Sequence, residues 1–273
     1  MRVNDIIISA IATASFADAG KVRRANCPNI HIFGARETTA PPGFGSASTV
    51  VNLVQNANDG ATSESIVYPA AGGNDYASSV SAGVLAVANQ TNTFNQMCPD
   101  SKIVVVGYSQ GAQIVDDAFC GGPDGTSLNT SMALVSTGVS NMVAAIILMG
   151  DPRHVNGLPY NVGNATAGGF AARPVGFQCP SFQNIIQAYC DAADPFCAKG
   201  NSTATHQGYG REYGQAALQF VQSKLGTSGT KVSASSTTNG TNGVAATSVA
   251  GKTELGGERM WMLLALSGLA LLY

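Results

Sequence analysis

The amino-acid sequence predicts an α/β fold in which helices cover both faces of a parallel sheet. Two stretches, residues 102–107 and 144–149, are almost continuously apolar, as is typical of strands that are buried on both faces. Apolar residues recur at helical spacing over residues 80–88, before these strands, and over residues 213–225, after them. Strands that alternate with helices favour a parallel sheet, because a parallel connection has to cross the sheet.

Two further strands and one further helix complete the predicted elements. Residues 30–33 and 65–68 are short runs rich in β-forming residues, and Pro69 ends the second run. Residues 112–119 follow a glycine-containing turn after the strand at 102–107, and we predict a helix there. The sequence contains no visible internal repeat.

The composition is that of a folded protein with a sizeable core. Hydrophobic residues make up 45% of the 273 residues, which excludes global disorder. The net charge is −2, and the 14 lysines and arginines form no long run. We therefore do not expect a nucleic acid as partner.

The cysteines and histidines limit the possible chemistry. Six cysteines, an even number, are typical of three disulfides if the chain is exported. The histidines are His31, His154 and His206, and no cluster of cysteine and histidine has the spacing of zinc ligands. A histidine-rich metal site is therefore excluded, and any catalytic imidazole has to belong to one of these three residues.

The N-terminal residues have the layout of a secretory signal. Arg2 precedes an apolar stretch at residues 6–16, and the small-residue cleavage pattern Ala17-Asp18-Ala19 follows. We predict a signal peptide over residues 1–19. The basic residues after it predict a propeptide over residues 20–24, with a basic surface loop as the alternative.

The C-terminal residues have the layout of a signal for a GPI anchor. Residues 227–257 are rich in glycine, serine and threonine and predict a flexible linker, which leaves residues 25–226 as the folded domain. Residues 258–273 form an apolar tail that is short for a membrane-spanning helix. A tail-anchored helix and an amphipathic end are the alternatives. Five sequons are compatible with glycosylation: Asn89, Asn129, Asn164, Asn201 and Asn239.

The motif Gly-Tyr-Ser-Gln-Gly at residues 107–111 is the strongest chemical signal in the chain. It lies between a predicted buried strand and a predicted helix, which is the context of a nucleophile elbow. The small residues allow the backbone to turn sharply, and the N-terminus of the helix favours a developing oxyanion. Ser109 is therefore the candidate nucleophile, and the alternative is an ordinary Gly/Ser turn.

A serine nucleophile needs a general base and an acid that orients the base. In elbow-containing folds the acid and then the histidine follow the serine in the chain, which favours His206 as base. His154 lies in a predicted loop and is a weaker candidate, and His31 lies within a predicted strand.

The position of the acid is left open by spacing alone. Two candidates lie on the predicted elbow helix and should face away from its tip, whereas Asp191 and Asp194 lie between Cys190 and Cys197, where a disulfide would pin a carboxylate. The acids between Ser109 and His206 are Asp116, Asp117, Asp124, Asp151, Asp191 and Asp194.

With these motifs in order, the domain resembles the cutinase-like serine esterases, and within that family the acetylxylan esterases. The resemblance implies a lidless, α/β-hydrolase-like three-layer sandwich with a central parallel sheet. It extends through nearly the whole domain and is carried by residues 27–39, 107–111, 150–152, 168–181, 190–197 and 205–209.

The resemblance also implies a role for each site residue. It makes Ser109 the nucleophile, His206 the base and Asp194 the acid. It places the oxyanion hole at Thr38 and at the backbone N–H of Gln110, which the position after the nucleophile also predicts. The disulfides that it implies are Cys27–Cys98, Cys120–Cys179 and Cys190–Cys197.

The function implied is removal of acetyl groups from acetylated xylan or a related plant cell-wall polysaccharide. We expect no metal and no cofactor, because hydrolysis of an ester by a serine nucleophile needs neither. We expect a secreted monomer whose contact with a membrane is limited to the lipid anchor. One alternative is a cutinase that acts on longer-chain polyesters, and another is a catalytically silent surface or wall-binding protein. Bulky side chains should close a short-acyl pocket, and Phe177 and Tyr160 are candidates for that position.

Overall fold

Six parallel strands form one sheet in the computed structural model, which describes residues 27–124 and 133–227. The strand order is β2-β1-β3-β4-β6-β5, and every neighbouring pair is parallel. The predicted signal peptide, propeptide and C-terminal tail, and residues 228–257 of the predicted linker, lie outside the described residues. The strands are β1 (Ile30–Ala35), β2 (Thr62–Ser65), β3 (Lys102–Tyr108), β4 (Val143–Met149), β5 (Asn161–Val162) and β6 (Ile186–Tyr189).

Helices cover both faces of the sheet and make three layers. The helices in the described ranges are α1 (Ser48–Asn56), α2 (Tyr76–Met97), α3 (Gln110–Cys120), α4 (Thr137–Met142), α5 (Thr203–His206) and α6 (Tyr209–Leu225). On one face, α1 and α6 form a core with Val104 and Ile147. On the other face, α2, α3 and α4 form a core with Val105 and Ile146. Successive residues of β3 and β4 thus enter opposite cores, which confirms the predicted fold class.

Most of the predicted elements are confirmed. The predicted strands at 30–33, 102–107 and 144–149 correspond to β1, β3 and β4, and the three predicted helices lie within α2, α3 and α6. Among residues 27–124 and 133–227, no helix combines the length and the apolar content that crossing a membrane requires.

The predicted strand at residues 65–68 is wrong, because β2 ends at Ser65. The N–H of Ile66 still donates to the carbonyl of Gly34 in β1 at 2.8 Å. Beyond it the backbone leaves the sheet, since the carbonyl oxygens of Ile66 and Tyr68 accept hydrogen bonds from the Arg36 guanidinium at 3.4 and 2.6 Å. Both side chains are buried in the core, which explains the apolar pattern there. At Tyr68 the side chain is therefore buried although the backbone is no longer paired with a strand.

The structure contains three disulfides, and their pairing is the one implied by the resemblance. One joins the residues before β1 to the end of α2, and another joins the end of α3 to the segment before β6. The third closes a short loop after β6, the loop that contains two of the candidate acids. The pairs are Cys27–Cys98, Cys120–Cys179 and Cys190–Cys197.

Replacing Ile146 or Ile147 by alanine tests whether both faces of the sheet are covered. These neighbours in β4 are 1% and 0% exposed and belong to opposite cores. We expect each substitution to lower the free energy of unfolding by about 2–5 kcal/mol, because each leaves a cavity in a packed core. Val67→Ala, at a position that is 76% exposed, is the control and should change it by less than about 0.5 kcal/mol. Denaturant titration measures all three, and a small effect of either isoleucine variant would contradict the three-layer packing.

Candidate active site

Ser109 occupies the sharp turn between β3 and α3. Its backbone has φ 54° and ψ −121°, a conformation that residues other than glycine rarely adopt. The turn is held on both sides, since the Ser109 N–H donates to the carbonyl of Met149 at 2.8 Å and the Ser109 carbonyl accepts from the N–H of Ala112 at 2.8 Å. A Cβ on Gly107 would lie 2.6 Å from the Cα of Ala112, and one on Gly111 would clash with the backbone after β1. The two glycines of the motif are therefore required by close backbone packing.

His206 and Asp194 form a buried hydrogen-bonded pair. His206 is the last residue of α5, and its Nδ1 lies 2.7 Å from Oδ2 of Asp194. The other carboxylate oxygen accepts from the N–H groups of Phe196 at 2.6 Å and Cys197 at 3.1 Å, and the Tyr209 hydroxyl donates to Oδ2 at 2.8 Å. When Nδ1 carries the proton that is shared with Asp194, Nε2 is left as a proton acceptor.

The hydrogen bonds of Asp194 keep its carboxylate charged. Burial raises the pKa of Asp194, but the hydrogen bond and charge of His206 and the N–H donors of Phe196 and Cys197 lower it by more. The net result is a pKa below the ordinary value of 3.8. A carboxylate that stays ionised can hold the imidazole in one orientation and stabilise its positive charge.

The structure distinguishes between the two acids in the disulfide-closed loop. Asp191 accepts hydrogen bonds from the N–H of Asn164 at 3.1 Å and from the hydroxyl of Tyr213 at 3.0 Å, so it fastens the loop. Asp194 is the residue that contacts His206.

The other two histidines have structural contacts away from Ser109. Nδ1 of His154 lies 3.1 Å from the carbonyl oxygen of Ala167, and burial lowers the pKa of this histidine. Nδ1 of His31 lies 2.6 Å from Oγ1 of Thr62, and the His31 ring stacks on Phe94 with centroids 4.2 Å apart.

The remaining candidate acids belong to a buried charge network around Arg153 and Arg173. Arg173 bonds Asp116 at 2.7 Å, and Arg153 lies 3.0 Å from Asp117. Burial raises the pKa of Asp117 to about 8, although Arg153 lowers it. Asp124 lies 3.5 Å from the Arg153 guanidinium, and the carboxylate of Asp151 accepts a hydrogen bond from the backbone N–H of Arg153 at 2.9 Å. Within the described ranges, no three His, Cys, Asp or Glu side chains are grouped so as to hold a metal ion.

Ser109 and His206 line one open cavity of about 960 Å³. Aromatic residues form much of its wall: the ring of Phe196 lies 4.5 Å from that of His206, and Tyr76 meets Phe170 edge-on at 5.6 Å. Among the described residues, the Ser109 hydroxyl has no hydrogen-bond partner. Hydrogen bonds between nucleophile and base are often long in a free enzyme and shorten when substrate binds.

The two candidate pocket-closing residues lie elsewhere. Tyr160 is buried in the core, and Phe177 stacks on the guanidinium of Arg173 at 4.2 Å. Neither Tyr160 nor Phe177 is among the described residues that line the cavity. The segments that carry them follow β4 without a regular periodic pattern, so the sequence could not place them.

Thr38 and Gln110 lie at the same edge of the sheet as Ser109. β1 and β3 are adjacent and pair Ala35 with Gly107, so the residues that follow each strand emerge side by side. Gln110 begins α3, where backbone N–H groups have no acceptor within the helix. Thr38 lines the cavity, and neither its N–H nor its hydroxyl has a partner among the described residues. Both residues therefore have donors available for an oxyanion.

Several residues that position the site were not predicted from the sequence. The Tyr209 hydroxyl bonds Asp194, and the Tyr108 hydroxyl donates to the carbonyl of His206 at 2.6 Å. Gly150 has φ 63°, and a Cβ there would lie 2.7 Å from Cε1 of His206. The motifs containing these residues were visible, but a tyrosine in a strand or helix gives no sign of which polar atom it will reach.

The fold and this constellation define an α/β serine hydrolase: an elbow serine after a central strand, a histidine paired with a buried carboxylate, and available donors beside the serine. A model of the family named Cutinase matches residues 26–225, and the chain belongs to the cutinase family. The protein is thus a serine esterase, as the resemblance implied.

Similarity to known proteins extends along most of the chain. It is 55% identical to Cutinase 11 of Verticillium dahliae, over 84% of this chain and 79% of that one. It is 54% identical to Acetylxylan esterase 2 of Talaromyces purpureogenus, over 79% of this chain and 95% of that one. The solved catalytic core domain of acetyl xylan esterase from Trichoderma reesei is 55% identical with a TM-score of 0.71, over 73% of this chain and 100% of that one.

Asp194→Asn should reduce turnover and stability together, with a defined pH dependence. The loss of the charge that orients His206 should lower kcat on the order of 10³–10⁴-fold. Because the folded-state pKa of Asp194 is below its ordinary value of 3.8, its contribution to stability is complete above that pH and is lost as the pH falls through the lower folded-state value. The difference in the free energy of unfolding between wild type and variant, about 1–3 kcal/mol at neutral pH, should therefore shrink in acid.

Asp191→Asn in the same loop is the matched control for this prediction. It should leave kcat within about threefold of wild type, because Asp191 contacts Tyr213 rather than His206. Steady-state kinetics and denaturant titration between pH 3 and pH 7 measure both variants. An equal loss of kcat in both variants would show that Asp194 is not the acid that orients His206.

Proposed function

We propose that this protein removes acetyl groups from acetylated xylan or a related plant cell-wall polysaccharide. One observation supports this chemistry above all. Ser109 and His206 line the same open cavity, and His206 forms a hydrogen bond with Asp194. The substrate class is supported by the similarity to Acetylxylan esterase 2, which this chain matches over 95% of that protein's length.

The reaction proceeds through an acyl-enzyme. His206 takes the proton of the Ser109 hydroxyl while the serine oxygen attacks the ester carbonyl, and Asp194 stabilises the imidazolium. Donors of Thr38 and the N–H of Gln110 stabilise the oxyanion. His206 then gives this proton to the departing sugar oxygen as its bond to the carbonyl carbon breaks, which leaves Ser109 acetylated. Water, deprotonated by the same histidine, attacks the acetyl carbonyl. The bond to the Ser109 oxygen then breaks, His206 returns the proton to that oxygen, and acetate leaves.

The size of the cavity favours a large substrate that brings only a small acyl group to Ser109. An acetyl group is small against about 960 Å³, so most of the open cavity is left for the sugar residues that carry it. Phe170 and Phe196 are 44% and 38% exposed beside the serine, and exposed aromatic side chains in a cavity are typical of ligand contact. Thr39, Ser46 and Gln207 offer polar groups on the remaining wall.

Hydrolysis of longer acyl chains is the second candidate. The aromatic wall and the openness of the cavity favour it, as does the 55% identity to Cutinase 11. Longer acyl chains would lie along Tyr76, Phe170 and Phe196, which line the cavity together.

Ser109→Ala, compared with wild type on esters of increasing chain length, tests both candidates. The full-length protein from a secreting host would be given nitrophenyl acetate, butyrate and longer esters, and acetate release from acetylated xylan would be measured in parallel. We expect acetate release from xylan, a steep fall in kcat/KM beyond short acyl chains, and loss of at least about 10⁴-fold of turnover in the variant.

The possible outcomes separate the candidates. Activity that holds or rises with chain length would assign the protein to the cutinase alternative. A folded wild type that hydrolyses none of these esters would favour the silent wall-binding alternative. A Ser109→Ala variant as active as wild type would refute the mechanism itself.

We also propose that the chain is exported and held at the cell surface by a GPI anchor. The layout of residues 1–19 and 258–273 supports this, and disulfides persist in oxidising compartments. A phosphatidylinositol-specific phospholipase C should release the esterase activity from cell membranes, whereas a chain ending at residue 257 should appear in the medium without treatment. Activity that stays on the membrane after phospholipase treatment would indicate the tail-anchored helix instead.

A further inference from the structure

Arg36 is a buried cation at the edge of the site. It follows β1 directly, two residues before Thr38, and is 5% exposed. Among the described residues, no carboxylate forms an ion pair with its guanidinium. A buried charge is costly unless hydrogen bonds satisfy it, so the partners of Arg36 indicate what it does.

The guanidinium donates to backbone carbonyl oxygens of two separate segments. Nε donates to Ala40 at 2.9 Å, within the loop that contains Thr38. Nη2 donates to Tyr68 at 2.6 Å and Pro69 at 3.2 Å, and Nη1 to Ile66 at 3.4 Å, in the segment that follows β2. The planar fork of an arginine can serve several carbonyls at once, which the single ammonium group of lysine does less well.

Tyr68 reinforces the same connection. Its hydroxyl donates to the carbonyl of Arg36 at 2.6 Å, and the guanidinium carbon lies 4.9 Å from the centroid of its ring. The side chain of each residue thus bonds the backbone of the other.

The two segments meet again beside Thr38, in backbone that is strained. The N–H of Thr39 donates to the carbonyl of Ala70 at 2.7 Å, and these residues have φ 62° and 53°. Residues other than glycine hold such angles only where the surroundings fix them. The Arg36 contacts lie on both sides of this junction and supply that restraint.

We propose that Arg36 is a positioning residue of the oxyanion hole. It fixes the loop so that the N–H and hydroxyl of Thr38 point to where the oxyanion develops, and it does not touch the substrate. This inference rests on the proposed function, because it assigns a role in the same reaction.

Arg36→Lys, which keeps the charge and removes the fork, tests the proposal on nitrophenyl acetate. We expect kcat to fall on the order of 10–100-fold while KM stays within about threefold, because a displaced donor weakens binding of the transition state more than that of the substrate. Arg36→Met should lose more activity than Arg36→Lys, so that the conservative variant gives partial rescue. Near-ultraviolet circular dichroism establishes that each variant is folded at the assay temperature.

A double-mutant cycle with Thr38→Val tests whether Arg36 acts through Thr38. If it does, Arg36→Lys should cost at least threefold less in kcat in the Thr38→Val background than in wild type. Arg173→Lys is the matched control, because Arg173 is also buried and bonds backbone carbonyls but lies at the far end of α3. It should lower thermal stability and leave kcat within about threefold.

Three results would overturn the inference while leaving the proposed function intact: wild-type kcat in Arg36→Lys, full additivity in the cycle, or an equal loss of kcat in Arg173→Lys. A folded wild type that does not hydrolyse nitrophenyl acetate would refute the proposed function, and this inference with it.

Discussion

The positive φ of Ser109 is the constraint on which the rest of the site depends. A non-glycine residue in this conformation costs on the order of 1–3 kcal/mol and persists only where its surroundings fix it. β3 supplies this restraint because it lies between β1 and β4 at the centre of the sheet. The Ser109 N–H extends the pairing with β4 by one more hydrogen bond, to Met149. The position of Ser109 is therefore set by the buried central strands β3 and β4.

The parts of the site that lie outside the strands are held by hydrogen bonds in addition to the Cys190–Cys197 disulfide. Asp194 receives two backbone N–H groups and a tyrosine hydroxyl, and Arg36 satisfies four carbonyls beside Thr38. Tyr108, the residue before the nucleophile, bonds the backbone of His206. Such directional contacts suit a catalytic site, because hydrogen bonds fix orientation where apolar contacts mainly fix proximity.

The sequence predicts the parts of this structure that repeat a period or a compact motif. β3 and β4 were predictable because each is a long apolar run, and α2 was predictable because its apolar residues recur at helical spacing. The turn at Ser109 was predictable from the glycines on either side of it. β2 was misplaced because the side chains of Ile66 and Tyr68, after its end, are buried in the core as those of a strand would be. β5 and β6 have only two and four residues, too few to carry a period. Spacing left the acid undecided between Asp191 and Asp194, since both lie in one loop and only three-dimensional contacts tell them apart.

The turn at Ser109 and the wall of the cavity are formed by different parts of the molecule. Backbone geometry sets the turn at Ser109, the N–H of Gln110 and the space beside the His206 ring, because a Cβ on Gly107, Gly111 or Gly150 would clash. The wall of the cavity is made instead by the side chains of Tyr76, Phe170 and Phe196, which come from the start of a helix and from loops. None of these three residues lies in a strand of the sheet. The same backbone framework can therefore be combined with different cavity walls, in keeping with comparable identity to a protein named Cutinase 11 and to one named Acetylxylan esterase 2.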